Sequence, residues 1–166
     1  MSEWNSRRIL KELVDADRRR AILADFWRFA DKPTRQAAQV FLAKALKFRD
    51  VTIKSFTPDR KADLLASRMS VADAEPFLDT ALMQYHLHRA SDLMAAFLDH
   101  WKLPHTNGAI DEENVAAPDE QAVRDAVGAL AGTFDRADVR LYLASVGLLM
   151  GDDWRRATWG VVDEMV

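Results

Sequence analysis

The sequence predicts an all-α fold: an irregular multi-helix bundle or helical-hairpin array of seven to eight helices, in a single domain spanning residues 1–166. Three observations carry that expectation. Apolar residues recur at intervals of three and four through most of the chain, the spacing that lines one face of an α-helix. Asp, Thr and Pro stand where such runs begin, supplying a capping oxygen or a ring with φ already set for the first turn. Only one patch, residues 51–56, has the β-branched alternation of a strand.

The first helical stretch runs from Ser6 to Ala30, with Ile9, Leu10, Leu13 and Val14 as one apolar stripe and Leu23, Phe26, Trp27 and Ala30 as another. The first stripe extended meets Asp17 and Arg18. The spacing therefore allows either two helices, with Asp15 as the second N-cap, or one helix with a wet middle. Pro33 ends what precedes it and opens a helix to about Arg49, its apolar side formed by Ala37, Val40, Phe41, Ala45, Leu46 and Phe48. Residues 51–56 are expected to be an extended connector, because no partner strand is evident. Thr57-Pro58-Asp59 caps the next helix, which buries Leu64, Leu65 and Met69.

Periodicity is strong from Ala74 to Lys102, through Phe77, Leu78, Ala81, Leu82 and Tyr85 to Leu93, Met94, Phe97, Leu98 and Trp101, with polar residues 86–92 as a candidate break. Residues 104–118 form the longest non-helical segment, and Asn107-Gly108 marks a turn in it. Asp119 begins a helix carrying Val123, Val127 and Leu130. Asp135 caps the most apolar helix, which ends at Gly151. Asp152 or Asp153 caps the last, which carries Trp154, Trp159, Val161, Val162 and Met165. Phe41-Leu42-x-x-Ala45-Leu46 echoes Phe77-Leu78-x-x-Ala81-Leu82 at a distance of 36 residues, but no third copy follows.

With 49% apolar residues the chain has ample core material. The absence of cysteine excludes disulfides, zinc–thiolate sites, iron–sulfur clusters and a cysteine nucleophile. The opening residues lack the apolar region of a signal peptide, and no apolar run nears the roughly 18 residues of a membrane span. A cytoplasmic protein without membrane association is the expectation, and no cofactor is expected.

The net charge of −3 conceals an asymmetry: residues 1–70 hold 16 Lys/Arg against 9 Asp/Glu, and residues 71–166 hold the remaining 7 against 17. Such a division fits two complementary helical layers, or a basic face presented to an anionic partner.

Residues 63–82 resemble a helix-turn-helix in the cadence Leu65-Ala66-x-x-Met69-Ser70-Val71. Ser70 stands where glycine is usual, Pro76 interrupts the second helix, and Asp73, Glu75 and Asp79 would face an anionic duplex. If nucleic acid binds, its phosphates would meet Arg7, Arg8, Lys11, Arg18, Arg19, Arg20, Arg60 and Lys61. His88 and Asp92, four residues apart, are the metal candidates, since one continuous helix would bring both to a single ion. The paired Glu-x-x-His motifs of ferritin-like bundles are missing.

Asn107-Gly108-Ala109-Ile110-Asp111 resembles the middle of an EF-hand loop, but the end positions, Leu103 and Asn114, are not carboxylates. Asp111, Glu112 and Glu113 fit a short helical turn or an exposed loop. No phosphate loop, nucleophile elbow or H-E-x-x-H helix is found, and no catalytic residue is assigned.

Trp4, Trp154 and Trp159 either cap the ends of the core or form an interface with a second copy, with core packing the favoured alternative. The reading overall is a non-enzymatic protein-interaction or regulatory domain whose partner is another protein or itself, as a homodimer. Nucleic-acid binding by the basic half and a helical metal-dependent enzyme are the alternatives.

Overall fold

Side-chain oxygens cap helix starts at Asp15, Thr57, Asp119 and Asp135, as the sequence spacing predicts, and also at Asn5 and Asp31. A computed structural model describes residues 1–111 and 113–166 and shows an all-α fold, with ten α-helices and one small hairpin among the described residues. The helices are α1 (Ser6–Glu12), α2 (Ala16–Phe29), α3 (Lys32–Leu46), α4 (Asp50–Lys54), α5 (Pro58–Ala66), α6 (Glu75–Arg89), α7 (Ser91–His100), α8 (Glu120–Ala129), α9 (Arg136–Met150) and α10 (Asp152–Glu164). Asp15, Asp31, Thr57, Asp119 and Asp135 each accept a backbone N–H two or three residues on. Glu112, one of the three acids expected in a turn or loop, lies outside the described residues.

The count exceeds seven to eight chiefly because of α4. Residues 50–54 are helical, not an extended connector. Ile53 is fully buried and docks this single turn, and α4 packs beside α3. Tertiary burial thus overrides the local β preference of Val51 and Ile53. Asp15 resolves the first ambiguity in favour of two helices, and Ala90, with φ −131°, separates α6 from α7. A further correction concerns α10: Gly151, at φ 102°, precedes it, while Asp152 and Asp153 lie in its first turn. There the two carboxylates favour the positive end of the helix.

The chain forms two compact units, one of Leu10–Tyr85 and one of Met1–Ile9 with His86–Val166, the boundaries falling within α1 and α6. In the Leu10–Tyr85 unit, α2 and α5 pack along their length. Its core holds Ile22, Leu23, Phe26, Leu42, Ile53, Leu65, Leu78 and Leu82, all fully buried. Phe26 meets Trp27 and Phe77 edge-on at 5.0 and 6.0 Å between ring centroids. Phe41 and Phe77, the first residues of the two echoed segments, lie 5.7 Å apart, so the echo marks two helices that meet. Pro76 causes no break, because α6 begins at Glu75 and the ring sits in its first turn.

The other unit is built on α8, α9 and α10. Its indoles are held from the backbone: Trp159 Nε1 donates to the Ala144 carbonyl at 3.2 Å, Trp101 Nε1 to Ala122 at 3.2 Å and Trp154 Nε1 to Val115 at 3.4 Å. Within residues 104–118, β1 (His105–Thr106) and β2 (Ala109–Ile110) pair antiparallel around Asn107 and Gly108. These two residues have φ 50° and 87°, and only a residue without a Cβ fits the second, because one there would lie 2.8 Å from both Met94 Cβ and the Ser91 carbonyl oxygen. His105 locks the turn. Its Nδ1 accepts the Gly108 N–H at 3.1 Å, which leaves Nε2–H to donate to Asp99 at 2.7 Å.

The N-terminal residues are tied to α10 through one carboxylate. Asp163 accepts the Ser2 N–H at 2.5 Å and Trp4 Nε1–H at 3.3 Å. Burial pushes the Asp163 carboxyl up, but the bonds from Ser2 and Trp4 and the N-terminal charge outweigh it and hold the group below the usual carboxylate range. A depressed carboxyl stabilises above the usual range and loses that contribution as pH falls through its folded value. Asp163→Asn is therefore expected to speed aminopeptidase trimming of residues 1–4 at neutral pH, with the difference from wild type shrinking in strong acid. Equal trimming rates at neutral pH would refute the tie.

Candidate interaction face

Lysine and arginine stems pack along apolar surface while their charged heads seek acceptors, so what each head meets decides whether it is free to bind a ligand. Arg18 donates from Nε and Nη2 to the Tyr85 hydroxyl, at 3.1 and 2.8 Å. Arg19 donates to the Leu10 carbonyl at 2.6 Å and closes the link between α1 and α2. Arg20 pairs with Asp63 at 2.8 Å. Arg60 lies 3.8 Å from the centroid of the Phe56 ring and Lys61 5.2 Å from that of Trp27. Arg8 covers Trp4 at 4.2 Å and donates to the Glu3 carbonyl. Arg7 and Lys11 are exposed. Arg7 and Arg8 belong to one unit and the other six to the second, where most hold local contacts.

A further group of exposed cations lies along α3 and α4. Helix α3 buries Ala38, Leu42 and Ala43, which turns Val40, Lys44 and Lys47 outward. Lys47 closes the helix in the left-handed region, at φ 57°. The chain then runs through Phe48 and Arg49 into α4, where Ile53 points inward and Val51 and Lys54 outward. Three large apolar side chains are thus left in solvent: Val40 is 59% exposed, Phe48 44% and Val51 67%. Phe48 meets Phe56 edge-on at 6.4 Å. Among the described residues, no carboxylate pairs with Lys44, Lys47, Arg49 or Lys54. Asp50, in the first turn of α4, is the acid of this stretch.

Val40 and Phe48 were expected on the apolar inner side of their helix. They lie outside, as Ala37 does, because Ala38, Leu42 and Ala43 are the residues that face the core. The density of lysine and arginine between residues 44 and 54 is visible in the sequence, but only the direction of Ile53 shows which flanks are wet.

His88 lies in the last turn of α6 and Asp92 in the first turn of α7, both exposed. The break at Ala90 removes the continuous helix on which their four-residue spacing relied. Among the described residues, no group of three or more His, Asp or Glu is placed to hold a metal ion. Trp4, Trp154 and Trp159 are 3%, 2% and 4% exposed, so their indoles form core in the unit that contains them, the favoured alternative.

A cleft of about 440 Å³ in that unit is lined by Asn114, Val115, Met150, Asp152, Asp153 and Trp154. Its two carboxylates pair with Arg155 at 2.9 Å and Arg156 at 3.4 Å. No helix among the described residues is long and apolar enough to cross a membrane. Comparison of the chain with protein-family models, curated proteins and solved structures finds no match.

Proposed function

We propose that this chain is a protein-interaction domain that works by binding, and that its docking face is the outer side of α3 and α4. The carrying observation is the placement of Val40, Phe48 and Val51 in solvent among Lys44, Lys47, Arg49 and Lys54. Apolar side chains ringed by cations suit a partner segment with an apolar stripe and flanking carboxylates. Covering each of the three contributes about 1 kcal/mol at usual transfer values. The cations steer the encounter and fix register more than they add affinity. A phosphate backbone would be attracted by the same charge but would not cover the apolar residues. This favours an acidic protein partner over nucleic acid.

The test is fluorescence anisotropy with a labelled amphipathic peptide of about 20 residues, Glu on one helical face and Leu on the other. A scrambled peptide of equal charge and a DNA duplex serve as competitors. Val51→Asp combined with Lys44→Glu and Lys47→Glu is expected to weaken peptide binding at least about tenfold, since each tenfold is only about 1.4 kcal/mol. Binding that follows charge alone, with the scrambled peptide and the duplex equal to the amphipathic one, would overturn the proposal.

A further inference from the structure

Gly108, in the turn between β1 and β2, is buried, and its N–H donates to His105 Nδ1 at 3.1 Å. The other ring nitrogen of His105 donates from Nε2–H to Asp99 of α7 at 2.7 Å. Only a neutral imidazole serves both partners, accepting at Nδ1 and donating at Nε2. The ladder behind the turn is short, with His105 opposite Ile110 and Thr106 opposite Ala109, so it does little to hold the hairpin without the side-chain bond. Nor has the turn room to seek another acceptor. Asn107 and Gly108 both lie at positive φ, and the Gly108 backbone rests directly on Met94 and the Ser91 carbonyl of α7.

We propose that His105 is a pH-sensitive latch: a proton on Nδ1 sets two donors against each other, frees the Gly108 N–H and lifts the turn from the first turns of α7. The buried N–H then has no acceptor unless it reaches water, and leaving it unpaired costs more than the bond contributed. From α7 the ring faces Asp99, and β2, the strand paired with β1, has no titratable side chain. Asp92, His100, Lys102 and Asp111 stand on or beside these elements in the sequence, and among the described residues no ion pair joins any of them to His105.

Two effects of the added proton oppose each other. Asp99 attracts the imidazolium, but its side chain is 74% exposed and water screens the attraction. The His105 side chain is 14% exposed and meets a buried donor at Nδ1, where screening is weak. The clash prevails, so the open turn takes up the proton that the closed turn excludes. Closure is then fully held while the ring is neutral and is lost as pH falls. Opening uncovers Met94, which is buried under the closed turn. The latch lies in the unit of Met1–Ile9 with His86–Val166 and does not depend on the α3–α4 face.

The experiment is amide hydrogen exchange on the whole chain by nuclear magnetic resonance, with imidazole shifts recorded on the same samples. Protection factors are followed from about pH 7.5 to about pH 5, the span in which histidines change charge. Gly108 is expected to lose protection about tenfold as the His105 ring gains its proton. Leu143, fully buried in α9, should keep its protection throughout. His105→Asn retains an acceptor oxygen beside the turn and cannot titrate, so Gly108 protection there should be flat with pH. Protonation of His105 with Gly108 protection unchanged overturns the latch. A ring still neutral at about pH 5, equal loss at Leu143, or the same loss in His105→Asn overturns it as well.

Discussion

Replacing Phe26 with alanine is expected to destabilise the Leu10–Tyr85 unit by about 3–5 kcal/mol, the range for emptying a buried aromatic site. Phe26 has no exposed surface, and its ring meets Trp27 and Phe77 edge-on. Trp27 is itself pinned by Lys61 above its ring and Arg35 at its carbonyl, which limits how far the wall can collapse into the void. A site that cannot relax keeps its cavity, and the cost then sits toward the upper end of the range. Urea unfolding followed by tryptophan fluorescence and far-ultraviolet circular dichroism would measure it. A midpoint within error of wild type would mean that Phe26 is not the keystone assigned to it.

Gly147→Ala is expected to cost about 1–3 kcal/mol by overpacking, although one methyl is the smallest side chain that can be added. Gly147 lies where α9 crosses α10, and a Cβ there would fall 2.5 Å from Trp159 Nε1 and closer still to the Thr158 hydroxyl. Neither neighbour is free to move. Trp159 Nε1 donates to the Ala144 carbonyl at 3.2 Å, and Thr158 Oγ1 donates to the Trp154 carbonyl at 2.8 Å. The helices must separate or the indole must give up its acceptor, which leaves a buried N–H unpaired. For a chain of this length the loss corresponds to a fall in Tm of roughly 2–12 °C. Gly128, where a Cβ would meet nothing within 4 Å, is the control. Gly128→Ala should leave Tm unchanged or raise it slightly, since alanine favours a helix interior. Equal effects at the two glycines would show that helix propensity, not close approach, dominates.

Both predictions concern residues of unremarkable appearance in the sequence. Phe26 is one of eight phenylalanines and Gly147 one of six glycines. A glycine within an apolar helical run is compatible with a bend, a close approach or mere tolerance. The choice depends on what crosses it from another helix.

The sequence by itself determined the helical class and most helix starts, because these depend on local chemistry. An aspartate or threonine at an N-cap satisfies N–H groups two or three residues away, and a proline acts on its own φ. Asp15, Thr57, Asp119 and Asp135 could therefore be placed without knowing any partner, as could the turn at Asn107-Gly108. Tertiary structure alone decided which side of α3 and of α4 is wet. Ile53 made a helix of residues 50–54 by giving it something to bury. Ala38, Leu42 and Ala43 turned Val40 outward. The break at Ala90 interrupted the helix between His88 and Asp92. Such contacts join residues distant in the chain, and a one-dimensional pattern records the period of a helix but not the direction its face will take.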